Sequence, residues 1–506
     1  IMLDSVTGVT ESDCVNAVLA DCAWGKHHFT EDDPVGYWVL TRAEPDTHCP
    51  EKGLISYSDF TDKTNPLPKD KNDRDGISKV RKTKKKLQTS FTDRGQPGEA
   101  WSALHRDMMN TLTLPSDVIG SKAADEAGLE GTSVLLLPSF INMLINLKLA
   151  GRSFTILFRT YGLDLGKIMK ELNAVCEGHH PCYRDAPRLD GSDGDPDYRM
   201  SLDSWARSGT WYREIDDSST GGLIALIMGT VAQPSEKPQP GDLLGIPFYE
   251  QLKSAKERAK EEVMDAEAKL DSGISILINK EAIDKYVELC KPQTIALRDF
   301  FPSWQQAGKK PKGGKPLFID SSNLQNIFPI FFDDHILPES AKIVDARSIR
   351  KYTAGKTGHI DIKETYNFFL IQAEPLHSIR NPMYFLDKIE ACEKRHRELL
   401  RKRAQAGGMV QRLLELSTDE IRSLLREIKG LVPGTGRRVS WDMDALCAAP
   451  DSPRGRHHHG CRASLQKADD DDYGEDRANA LGAVKVIGLT SDIASGRSMV
   501  LKMLED

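Results

Sequence analysis

Three short apolar runs, "IML" before Asp4, "SFTILFR" before Thr160 and "IFPIFF" before Asp333, each give way to a polar residue. Runs of this length without alternation read as strands covered on both faces, and "AKIVDARSI" reads as a fourth. Helical patterns lie between them. "PSFINMLINLKLAG" precedes the second run and "DLGKIMKELNAVCEG" follows it, closed by Gly178 as a C-cap. Such alternation predicts an α/β chain wound around a parallel sheet, with functional groups at the carboxyl ends of the strands.

The core expected from these elements comprises residues 1–9, 99–184 and 303–381. Residues 10–98 read as a loop-rich, cap-like insertion, and its charge run "KDKNDRDGISKVRKTKKK" reads as a solvated surface. Residues 185–302 read as a second cap-like insertion carrying the charged helix "YEQLKSAKERAKEEVMDAEAKL". The acidic turn "DGSDGDPDY" in that segment lacks the central glycine and terminal glutamate of a calcium loop. Residues 382–432 read as two amphipathic helices broken at Gly407 and Gly408, and 433–506 as a low-complexity, flexible tail.

Composition excludes little and favours a soluble protein. With 28% charged residues and a net charge of -7, the chain gives no general reason to expect nucleic acid. The most apolar stretch, "SVLLLPSFINMLINLKLA", is interrupted by Pro138, Asn142, Asn146 and Lys148, so no membrane span is expected. Nine scattered cysteines suit a reducing compartment, the cytoplasm, or an organelle matrix if a targeting peptide precedes Ile1. "CEGHHPC" holds soft ligands without the spacing of a zinc finger, and reads as a helix end with buried thiols.

Asp333 and Asp334 are adjacent at a buried strand end, where two like charges repel. A divalent cation would relieve them. Mg²⁺ takes one or two carboxylates and fills its shell with water and phosphate oxygens. Asp4 would add a third acid, while the Thr160 hydroxyl and the backbone at Tyr161 and Gly162 would hold a phosphoryl oxygen.

This set, in this order, resembles the haloacid dehalogenase superfamily: an aspartate after strand one, a threonine after strand two, a lysine, and an apolar strand ending in Asp-Asp. More narrowly, "FRTYGLDLGKIMKELNAVCEGHHP" and "PIFFDDHI" resemble an uncharacterised group of protist proteins in which FRTFG and FFDDN stretches recur. The resemblance implies a Rossmann-like parallel core in which Asp4 is the nucleophile. It also implies that Asp333 and Asp334, with Asp4 and the Val6 carbonyl, hold Mg²⁺, and that a lysine steadies the phosphate. Lys315 in "GKPLFID" and Lys291 in "CKPQTIAL" both qualify, with Lys315 preferred. The departure is at Val6, where the superfamily carries its general acid, a group worth about 10²–10⁴-fold in rate. The expectation is therefore a degenerate relative that retains a Mg²⁺-binding fold and acts as a binding or structural module, with a protein partner on its insertions or C-terminal helices. The alternative is an active Mg²⁺-dependent phosphohydrolase or phosphotransferase that acts on a phosphorylated small molecule through an aspartyl-phosphate.

Overall fold

The computed structural model describes residues 10–415 and 484–490, apart from 32–34, 71, 203, 205, 217–220, 234–249, 251, 255–256, 258–264, 270–273 and 325. Two compact units divide the chain: residues Ile1–Glu393 with Leu481–Asp506, and residues Lys394–Ala480. The described part of the second is the helical stretch 394–415. Among the described residues, no helix is long and apolar enough to cross a membrane.

In chain order the strands are β1 (Trp24–His28), β2 (Tyr37–Leu40), β3 (Ile55–Ser56), β4 (Phe154–Thr160), β5 (Ser208–Arg213), β6 (Ile224–Met228), β7 (Asp265–Lys269), β8 (Ser275–Asn279), β9 (Thr294–Asp299), β10 (Lys315–Ile319), β11 (Ile327–Asp333), β12 (Val344–Ser348), β13 (Leu370–Gln372) and β14 (Val484–Thr490). Nine form one sheet, ordered β13-β11-β14-β4-β9-β5-β6-β8-β7. Its first six strands are mutually parallel, and β6, β8 and β7 close it with antiparallel pairings. The architecture is mixed α/β with a mixed sheet, where a wholly parallel one was expected.

All seven residues of β4 are buried, because both faces of the sheet are covered. Ile156 and Phe158 meet the helices Pro138–Leu149 and Leu165–Cys176 on one face. Leu157 joins Trp211, Ile295 and the helix Lys280–Leu289 on the other, beneath Phe318 and Tyr352. The two flanking helices fall where the pattern predicts them. Pro138 occupies the first turn of one, where its missing N–H costs nothing. Gly178, at φ 67°, follows the other in the left-handed geometry of a helix terminus.

Several boundaries differ from expectation. Residues 185–302 are no separate cap, since β5 to β9 all lie in this segment and β9 pairs directly with β4. Short runs such as "IALIM" and "TIALRD" carry no mark of which sheet they will join. Within the expected charged helix, Asp265–Lys269 is a strand. The fourth apolar run forms β12, but it pairs with β10 in a separate two-stranded parallel sheet rather than joining the main one. Residues 10–98 are more ordered than loop-rich: they hold the helices Glu11–Asp21, Tyr57–Thr64 and Arg74–Thr89 and the antiparallel sheet β2-β1-β3. The charge run does form a surface, as the helix Arg74–Thr89 has no buried residue. Gly407 and Gly408 break nothing, because one helix runs Tyr384–Glu415. A mid-helix glycine costs only about 1 kcal/mol relative to alanine, which a long helix absorbs. Finally, Val484–Thr490, expected in the flexible tail, is β14 and stands between β11 and β4.

Candidate functional site at the carboxyl edge of the sheet

The register places the strand ends. Phe332 pairs with Leu489 and Leu489 with Phe158, so Asp333 is level with Arg159, one residue before Thr160. Two strand spacings, about 10 Å of backbone, separate them. Thr160 and the acid pair therefore share one edge. Asp4 and Val6 lie outside the described residues. The place between the Thr160 strand and the acid-pair strand is filled by β14.

Of the two candidate lysines, only Lys315 reaches this edge. Its Nζ lies 3.4 Å from Asp333 Oδ2, with Lys315 0% and Asp333 1% exposed. Lys291 is exposed, and its carbonyl accepts the hydroxyl of Thr155 near the start of β4, which places it at the amino edge. Geometry removes it from the site.

What holds Lys315 is a set of buried arginines for which the sequence reading proposed no role. Arg159 pairs bidentately with Asp299 and donates to the Pro316 carbonyl at 2.9 Å. Arg213 donates to the carbonyls of Gly314 and Lys312, each at 2.7 Å, and to Asp345 Oδ2 at 2.8 Å. The peptide oxygens on both sides of Lys315 are thus clamped from below. Gly314 permits the approach of the neighbouring chain, because a Cβ there would sit 2.2 Å from the Ile343 oxygen. Asp345 also accepts from Arg347 at 2.8 Å and contacts His359 Nδ1 at 3.0 Å. Burial pushes the Asp345 carboxyl up, yet Arg213, His359 and Arg347 outweigh it and hold it below its ordinary value.

Aromatic rings cover the pair. Lys315 Nζ lies 5.0 Å from the centroid of Tyr161, which stacks on Trp304 at 5.7 Å. Trp304 in turn meets His335 edge-on. Thr160 is fully buried and its hydroxyl accepts the Gly162 N–H at 2.8 Å. Of the groups expected to cradle a phosphoryl oxygen, the Gly162 N–H is therefore engaged by the Thr160 hydroxyl.

His335 completes the cluster. Its N–H donates to Asp333 Oδ1 at 2.9 Å and its ring Nδ1 lies 3.0 Å from Asp334 Oδ1. Burial pushes the imidazole down, but the carboxylates of Asp334 and Asp333 outweigh it and lift His335 to about 10. Two aspartates thus face two cations. This accounts for a strand that ends on paired acids.

The donor atoms of Asp333, Asp334 and His335 lie within 4.8 Å of one another, close enough to converge on one metal ion. The carboxylates suit a hard cation such as Mg²⁺, and a protonated imidazole does not. A cation there would compete with Lys315 and His335 for the same oxygens.

Two other motifs are structural, although in "CEGHHPC" only Cys176 is a buried thiol and Cys182 is exposed. His180 sits in a buried pair with Glu171, 3.4 Å away, and accepts the Cys182 N–H on Nδ1. Glu171 Oε2 accepts the backbone N–H groups of Leu135 and Leu136 at 2.9 and 2.7 Å. In the acidic turn, Asp193 and Asp195 both pair with Lys148.

No protein-family model, no curated protein and no solved structure matches this chain.

Proposed function

We propose that this chain is a degenerate relative of the haloacid dehalogenase superfamily that serves as a binding or structural module. The observation that carries this reading is the closed carboxyl edge. Lys315 is sealed under Tyr161 and paired with Asp333 at 3.4 Å, and Thr160 is fully buried with its hydroxyl bonded to Gly162. A phosphoryl group would have to displace the Tyr161 ring and the Asp333 carboxylate before Lys315 could reach it. The resemblance also puts valine, which cannot transfer a proton, at the general-acid position.

A second reading, a Mg²⁺-dependent phosphohydrolase, draws on one observation: Thr160, Lys315 and Asp333 share one edge of the sheet. In that case Asp333 and Asp334 would hold the cation and Lys315 would turn toward the phosphate. Initial rates over a panel of phosphate monoesters with Mg²⁺, for the full chain and for Asp333→Asn, separate the two. The binding-module reading expects no hydrolysis that depends on Asp333. Mg²⁺-dependent turnover abolished by Asp333→Asn would replace it with the enzyme.

A further inference from the structure

The overall charge gives no reason to expect nucleic acid, but one helix within residues 10–98 gives a local one. Arg74–Thr89 carries seven cationic side chains against a single acid, Asp75, in a chain whose net charge is -7. None of its residues is buried, yet its side chains divide into two faces. Ile77, Val80 and Leu87 are half-buried on the side packed against the helices Glu11–Asp21 and Tyr57–Thr64. On that side Lys84 pairs with Asp62 at 2.9 Å and Gln88 donates to the Thr61 hydroxyl at 3.2 Å. The opposite face is formed by Asp75, Ser78, Lys79, Lys82, Thr83 and Lys86, which recur three and four residues apart and are all exposed. They line a groove of about 430 Å³.

Lys79, Lys82 and Lys86 fall in one row about 10 Å long. The acids around them leave this row positive. Asp75, one turn before Lys79, offsets part of its charge. Asp73 is held at the helix start by the Gly76 N–H at 2.8 Å, and Asp70 accepts the Asn72 N–H at 2.9 Å before it. Asp62 is taken by Lys84, while Asp13, Asp21 and Asp59 belong to the two helices packed on the other side. The groove therefore presents three ammonium groups from one face of one helix.

The chemistry of the face selects the occupant. Protein interfaces are depleted in lysine and built on buried aromatic or arginine anchors, and this face has neither. A membrane surface would find no apolar side chain here to insert, and its anionic plane would also meet the rest of a chain that is acidic even with these cations counted. A narrow strand of phosphates can follow the row alone. The face has no aromatic ring on which unpaired bases could stack, and no arginine, asparagine or glutamine to pair with base edges. We infer that this helix face binds the phosphate backbone of a nucleic-acid duplex without reading its sequence. The inference stands on the helix alone, whether or not the carboxyl edge of the main sheet is catalytic.

The test titrates the full chain into fluorescein-labelled duplexes of about 20 base pairs, DNA and RNA in two unrelated sequences each, and follows anisotropy from about 50 mM salt upward. The two sequences should bind alike, and the DNA and RNA arms identify which duplex supplies the phosphates. Three lysine contacts contribute about -2.7 to the slope of log affinity against log salt on duplex DNA. Lys79→Gln/Lys82→Gln/Lys86→Gln, which alters only exposed side chains and should keep the parent Tm, is expected to lose that contribution and to bind at least about tenfold more weakly at low salt. Absence of duplex binding at low salt, or binding unchanged in the triple variant, would overturn the inference. Tighter binding of the labelled single strands would overturn the duplex. Tighter binding of an oligoglutamate peptide of matching charge, or of vesicles that contain phosphatidylserine, would overturn the occupant in favour of an acidic protein segment or a membrane.

Discussion

Lys315→Met separates a structural lysine from a catalytic one. At 3.4 Å the attraction to Asp333 is about 5 kcal/mol with an effective dielectric near 20, and both partners are inaccessible to water. Removing the lysine leaves Asp333 buried with one of its two cationic neighbours gone and His335 remaining at 3.4 Å. Breaking one side of such a pair costs about 3–5 kcal/mol. Asp333→Asn should cost a similar amount, because it strands the ammonium beneath Tyr161. In Lys315→Met/Asp333→Asn neither charge remains, so the double variant should recover about 3 kcal/mol relative to the sum of the singles. The His335 N–H keeps an acceptor in the asparagine variants, which confines the difference to the pair. Urea denaturation, followed by tryptophan fluorescence with the slope checked for constancy, reads all four proteins. A lysine kept for a phosphate ligand is held at a cost to the unliganded fold, and its removal is neutral or stabilising. Lys315→Met that lowers stability by less than about 1 kcal/mol, with no coupling to Asp333, would refute the structural assignment.

The same pair makes a prediction for Mg²⁺: because Lys315 and a cation compete for Asp333, calorimetric titration should show tighter Mg²⁺ binding in Lys315→Met than in the parent, and equal or weaker binding would refute the competition. Asp345 is held below the unfolded carboxyl value of about 3.9, so its stabilisation is present above that pH and lost as pH falls through its folded value. Asp345→Asn should therefore flatten the acid limb of a stability-against-pH curve, and an unchanged limb would count against this cluster. Glu171→Ala deprives the N–H groups of Leu135 and Leu136 of a buried acceptor, at a cost of about 1.5–3 kcal/mol per charged hydrogen bond, readable as a fall in Tm. Ending the chain at residue 480 deletes β14 and leaves β4 and β11 with unpaired inner edges, so the product should be insoluble or expanded by small-angle scattering, and a compact monomer would contradict the sheet order.

The strands that end the site were legible because a doubly covered strand must be apolar throughout, and the first polar residue marks its exit. Thr160 and Asp333 were found that way. The choice between Lys315 and Lys291 was not legible locally: both precede proline, and only the pairing of β9 with β4 sends Lys291 to the amino edge. Arg159, Asp299, Arg213 and Asp345 were missed because a buried ion pair looks, in sequence, like two surface charges. A weak signal existed in "FTILFRT", where arginine interrupts a run whose neighbours are all buried. β14 was hidden by its neighbourhood, since seven residues after an acidic low-complexity run carry little weight. The charge run was assigned to the surface correctly, but its helix was missed because solvated lysines impose no apolar period.

The closed carboxyl edge is tested most directly by the reactivity of Lys315 itself. Brief treatment of the native full chain with an amine-acylating reagent, followed by peptide mass spectrometry, reports each lysine in one experiment. The exposed Lys79, Lys82 and Lys86 should be modified readily, and Lys315, at 0% exposure beneath Tyr161, should stay unmodified until the protein is unfolded. Acylation of Lys315 in the folded protein at the rate of those surface lysines would contradict the account.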